Sequence, residues 1–154
     1  MTTIDKDNKL AAFNFNGKMI NAKPGQTIIQ AAMDHGMYIP YLCYHPGLDP
    51  YGACRMCVVE TEVNGRKSIQ ASCTTPAIEG MTVNSTQSDI KDLRQGIMDL
   101  LITEHPHGCL TCHRIELCGP QDVCQRHVSV TDRCTTCPKN ERCELKDTIR
   151  STEL

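Results

Sequence analysis

Eleven of the 154 residues are cysteine, and their spacing restricts what this chain can fold into more than any other feature. Cys43, Cys54, Cys57 and Cys73 stand at C-x10-C-x2-C-x15-C, three of them in or beside the Gly- and Pro-containing loop CYHPGLDPYGACRMC. A loop that wraps an inorganic core must bring backbone N–H groups close to sulfide. Gly47, Gly52 and Ala53 permit that approach, and Pro46 and Pro50 hold the loop open. Two thiolates at C-x2-C can grip one iron. A third comes from the same loop and a fourth from further along, which is the logic of a [2Fe–2S] site. The loop is longer than the plant-type C-x4-C-x2-C spacing.

The cysteine count is odd, and the opening MTTIDKDNKL is polar, with no apolar run of a secretory signal. A disulfide framework is therefore not expected. Cysteines at C-x2-C in a cytoplasmic protein point to metal. With two Phe and no Trp, the core is modest, and bound metal is expected to help hold the fold. A net charge of −2 without basic blocks gives no footing for nucleic acid, and no apolar stretch approaches a membrane span.

The segment before the loop reads as a scaffold. Asn16-Gly17 sits between two short runs, Ala11 to Phe15 and Lys18 to Ala22, and predicts a hairpin. Pro24-Gly25 makes the next turn. Thr27 with Gln30 has the capping-box form, Ile28, Ala31, Ala32 and His35 share one helical face, and Gly36 is the stop. After the loop, Met56 to Thr61 reads as a strand and Asn64-Gly65 as a turn. Ile69 and Ala71 lie on the return strand, and Met81 to Val83 form a short last strand. One helix across a small mixed sheet is an α+β arrangement, in the order of a β-grasp ferredoxin. Ser88 is placed to cap a further helix to about Thr103. Its apolar face of Ile90, Leu93, Ile97, Leu100 and Leu101 is expected to pack on the sheet, and its end to aim His105.

The runs IPYLCYH, GACRMCVVE and SCTTP, with Gly80, Met81 and Val83 following, resemble the N-terminal [2Fe–2S] domain of the large iron–sulfur subunit of respiratory complex I. They are similar also to the matching domains of NAD-dependent formate dehydrogenases, NAD-reducing hydrogenases and [FeFe] hydrogenases. The resemblance implies a β-grasp domain over residues 9–86 with Cys43, Cys54, Cys57 and Cys73 as ligands, after a flexible N-terminus at 1–8. Residues 87–120 then hold the helix and His105-x3-Cys109-x2-Cys112-x5-Cys118. This run resembles the His-plus-three-Cys [4Fe–4S] module of the same families, which implies His105, Cys109, Cys112 and Cys118 as ligands. An imidazole in place of a thiolate makes the core less negative. A Cys3His zinc site would use the same donors. Cys109 to His113 also forms a C-x-x-C-H haem-attachment string, which would require export and strand Cys118 and His105. His107 and His113 have no assigned role.

Residues 121–154 depart from the family pattern. Cys134, Cys137 and Cys143 repeat C-x2-C-x5-C, displaced by 25 residues from Cys109, Cys112 and Cys118. The repeat reads as an internal duplication in which Val130 stands where His105 would be, so the fourth ligand must come from elsewhere. Cys124 is the first candidate and His127 the second. With Cys124, three clusters use all eleven cysteines. A zinc knuckle of Cys134, Cys137 and Cys143 is the alternative.

Closed thiolate shells leave no substrate pocket, and no nucleotide-binding or nucleophile motif accompanies them. No catalytic residue is expected. The expectation is an iron–sulfur electron-transfer subunit of a larger cytoplasmic oxidoreductase. By resemblance its neighbours are a flavin-containing NAD(P)H dehydrogenase subunit and a catalytic subunit, either a hydrogenase or a molybdenum or tungsten enzyme. The competing readings are a [2Fe–2S] protein with a zinc-stapled interaction module, and a redox or iron sensor. A free-standing shuttle fits poorly with the near-neutral charge.

Overall fold

The computed structural model describes residues 10–103 and 142–152. The elements are β1 (Ala11–Phe15), β2 (Lys18–Ala22), α1 (Ile28–Asp34), β3 (Val58–Val63), β4 (Arg66–Ala71), β5 (Thr82–Asn84), α2 (Ser88–Thr103) and α3 (Glu144–Thr152). The strands form one mixed sheet in the order β2-β1-β5-β3-β4, with β5 parallel to β1 and antiparallel to β3. With α1 packed beside it, this is the α+β, β-grasp arrangement that the sequence order suggested.

Both hairpins turn where an Asn-Gly pair supplies left-handed backbone. Asn16 and Gly17 have φ of 48° and 84°, and Asn64 and Gly65 have 51° and 74°. Strand alternation then sends Phe13, Phe15, Ile20, Ala22, Val59 and Val83 into one core against Ile28, Ile29, Ala31 and Ala32 of α1. At the start of α1 the Gln30 side chain accepts the Thr27 N–H at 2.9 Å, one half of the expected capping box. The helix ends at Gly36 (φ 68°), where the Met37 N–H reaches Ala32 O and the Gly36 N–H reaches Met33 O, a Schellman closure. His35 differs from expectation. It is the C-terminal cap and exposed, and Ile29 takes a buried place beside Ile28 instead.

Helix α2 departs further from its predicted face. Ser88 is its first residue rather than its cap, since Gln87 O accepts the Lys91 N–H. Ile90, Arg94 and Met98 are buried and Ile97 and Leu101 half-buried, whereas Leu93 and Leu100 face outward. The inward stripe thus follows i, i+4, i+8 and includes a cation that an apolar pattern passes over. Val58 and Val59 are successive on β3 and point to opposite faces. Val59 joins the main core, and Val58, buried outside it, lies on the side that α2 covers.

Candidate iron–sulfur site

The loop between α1 and β3 and the turn after β4 carry the first four cysteines to one place. None is in a disulfide. Cys43 is exposed, Cys54 half-buried, and Cys57 and Cys73 are buried. They stand as two pairs. Cys43 and Cys54 are the more exposed pair, and Cys57 and Cys73 lie in the core. Among the described residues no three His, Cys, Asp or Glu side chains converge on a position suited to one metal ion. Cys54 and Cys57, three positions apart in the chain, differ in burial. Arg55, between them, has φ 58°, and this left-handed step lies where the chain passes from the half-buried Cys54 to the buried Cys57.

Three local features hold this geometry. Gly52 has φ 72°, and a Cβ there would meet Thr74 Cγ2 at 3.0 Å, so the loop lies against the turn that carries Cys73. That turn is tied to α1, whose first free donors bond into it: Ile28 N–H to Thr75 O at 3.0 Å and Ile29 N–H to Ser72 O at 3.2 Å. Ser72, fully buried, donates its hydroxyl to Cys57 O at 2.8 Å and its N–H to the same oxygen at 3.1 Å.

The electrostatics divide the four thiols. Burial acts to raise the Cys43 thiol, but the N–H groups of Cys54, Ala53 and Cys43 turn toward its sulfur and leave it below the ordinary value. The Cys54 N–H reaches Cys43 Sγ at 3.4 Å. Burial pushes Cys54 up, against the N–H groups of Cys43, Met56 and Leu42. Cys73 is pushed up to about 12 by burial, by its bond to Cys57, and by repulsion from Cys57, Cys43 and Cys54. This donor set fits an iron–sulfur core. The four thiols lie in the loop before β3 and the turn after β4, and backbone N–H groups point at the outer pair, as a core with net negative charge requires.

Two further residues bond to the backbone at or next to Cys57 without a cysteine pattern to announce them. Ser72 is one. Arg94 of α2 is the other, donating to Val58 O at 2.6 Å and to Ser85 O at 2.9 Å. No sequence signal marks Arg94, and Ser72 is marked only by adjacency to Cys73. Of the remaining predicted ligands, Cys143 is described, and it precedes α3. Its carbonyl accepts the Asp147 N–H and its Sγ the Lys146 N–H. From the same helix, the buried Thr148 hydroxyl reaches Tyr41 O at 3.4 Å, two residues before Cys43. His105, Cys109, Cys112, Cys118, Cys124, His127, Cys134 and Cys137 lie outside the described residues.

Fold and thiol cage together define a β-grasp iron–sulfur protein. Residues 8–88 match the family described as "2Fe-2S iron-sulfur cluster binding domain", and the chain belongs to it. Residues 94–129 match the "NADH-ubiquinone oxidoreductase-G iron-sulfur binding region". Among similar curated proteins, the G subunit of NADH-quinone oxidoreductase from Yersinia pestis is 34% identical over 117 residues, 74% of this chain and 13% of that protein. The Rickettsia typhi protein of the same name is 37% identical over 118 residues, 77% of this chain and 17% of its own length. The chain therefore spans under a fifth of the length of these relatives. A chain in the crystal structure of an NAD+-reducing [NiFe]-hydrogenase in the H2-reduced state superposes with a TM-score of 0.58 at 40% identity, covering 68% of this chain and 43% of that one. Among the described residues no helix is long and apolar enough to cross a membrane.

Proposed function

We propose that this chain is an electron-relay subunit of a multi-subunit NAD(P)H-linked oxidoreductase, with Cys43, Cys54, Cys57 and Cys73 holding one [2Fe–2S] centre. The observation that carries the reading is the graded burial of the two thiol pairs, Cys43 and Cys54 outward and Cys57 and Cys73 inward. Bound there, a [2Fe–2S] centre supplies one-electron transfer. The protein's part is to hold that centre at the surface on one side only. Cys43 and its loop N–H groups form the edge a redox partner can approach, and Ser72 and the start of α1 fix the inner edge.

His105, Cys109, Cys112 and Cys118 are proposed as a [4Fe–4S] site, and Cys124, Cys134, Cys137 and Cys143 as a second, with His127 the other choice for the fourth place. The docking of Thr148 on Tyr41 supports a tail site held close to the first one. The partners in this reading are a flavin-containing NAD(P)H dehydrogenase subunit and a hydrogenase or molybdenum or tungsten subunit, in the cytoplasm.

The test is iron, acid-labile sulfide and zinc per chain on anaerobically purified protein. About ten irons with no zinc supports three clusters. About six irons with one zinc makes the tail a structural knuckle, and about two irons with zinc elsewhere ends the relay reading.

A further inference from the structure

Arg94 is 5% exposed, and both of its hydrogen bonds go to neutral acceptors, Ser85 O at 2.9 Å and Val58 O at 2.6 Å. Its Nε has no partner among the described residues. The titratable groups that act on it are Cys57 and Tyr38, and no carboxylate is among them. A buried charge normally has an ionised partner, because carbonyl dipoles alone do not replace the water it gave up. Burial does push Arg94 down, yet a guanidinium keeps its proton in proteins. Among the described residues, this enclosed cation thus has no carboxylate as counter-charge. Val58 directly follows Cys57, so the bond to Val58 O ties the guanidinium to the backbone one residue from an inner thiol, on the face of the sheet that α2 covers.

We propose that Arg94 is the built-in counter-charge of the [2Fe–2S] centre and raises its reduction potential. The inference rests on the [2Fe–2S] reading given above. Four thiolates around the core make the whole centre an anion. Taking up one electron, without a proton, makes it one unit more negative. A fixed cation in a low-dielectric interior favours that more negative state over the oxidised one, and the difference appears as potential. A purely structural Arg94 would only tie α2 to the ends of β3 and β5, a task that leaves the potential unmoved.

The experiment is a mediated redox titration of the full-length chain under anaerobic conditions. The reduced [2Fe–2S] signal is followed by EPR in the wild type and in Arg94→Met, Arg94→Gln and Arg94→Lys. Iron and sulfide assays and circular dichroism accompany each sample. In Arg94→Met and Arg94→Gln the equilibrium constant for reduction is expected to fall roughly tenfold, a shift of about 59 mV to lower potential for a one-electron couple. Arg94→Lys is expected to stay near the wild type. If the neutral variants fail to assemble the centre while Arg94→Lys assembles it at the wild-type potential, the need for charge is likewise supported. Loaded neutral variants with an unchanged potential overturn the inference, as does loss of the centre from all three. A wild type without a [2Fe–2S] signal instead removes the functional reading beneath it.

Discussion

Ser72 holds Cys57 twice: its hydroxyl and its N–H both donate to the Cys57 carbonyl oxygen, at 2.8 and 3.1 Å. Ser72 is also the residue before Cys73, and its own carbonyl accepts from Ile29 at the start of α1. One buried serine therefore links the inner pair of thiols to each other and to the helix.

Ser72→Ala removes the hydroxyl bond but keeps the N–H on the same oxygen, so Cys57 O is not left orphaned. The expected loss is about 1 kcal/mol. Urea unfolding of the anaerobic protein checks the stability, and the rate of bleaching with an iron chelator, expected to rise, checks the site. Unchanged bleaching would mean that Ser72 serves the fold alone.

Gly52→Ala places a side chain at φ 72°, with its Cβ 3.0 Å from Thr74 Cγ2. The Thr74 methyl can turn aside, but the backbone cannot, so the expected cost is about 1–2 kcal/mol. Reconstitution with iron and sulfide is expected to be slower than in the wild type. Gly65→Ala, with φ 74° and nothing near its Cβ, is the control, expected to lose similar stability without slowing reconstitution.

The thiols of the iron-free protein should react in a fixed order. Cys43 is exposed, and N–H groups hold it below its ordinary value despite burial of part of its sulfur. Cys73 is buried and pushed up to about 12. Timed alkylation at neutral pH with mass spectrometry is expected to label Cys43 first and Cys73 last among these four. The loaded protein should protect all four.

Cys134→Ser is expected to lose iron from the tail and to loosen α3 while the [2Fe–2S] absorption persists. Loss of both signals would show one interdependent unit. His105→Cys is expected to retain iron at the second site and to change its potential; an unchanged potential would take His105 out of the ligand set.

The strands and turns were legible because local chemistry fixes them. Asn16-Gly17 and Asn64-Gly65 can hardly do anything but turn, and Phe13 and Phe15 alternate with polar neighbours. That Cys43, Cys54 and Cys57 stand in the loop before β3 and Cys73 after β4 was also legible, since the strand pattern between them fixes the order. The step from half-buried Cys54 to buried Cys57 was not, because between them stands one left-handed residue, Arg55, that no pattern announces. Arg94 was hidden for a different reason. Pattern reading assigns cations to the wet face of a helix, and here the wet face took Leu93 and Leu100 while the cation went inside.

The most direct test of the central claim is the EPR spectrum of the reduced full-length chain carrying His105→Ala and Cys134→Ser together. These changes disable both proposed C-terminal sites and leave the four described cysteines intact. The expected result is a [2Fe–2S] signal near one spin per chain that disappears when Cys73→Ala is added. A spectrum without that signal, or a signal indifferent to Cys73, would contradict the assignment.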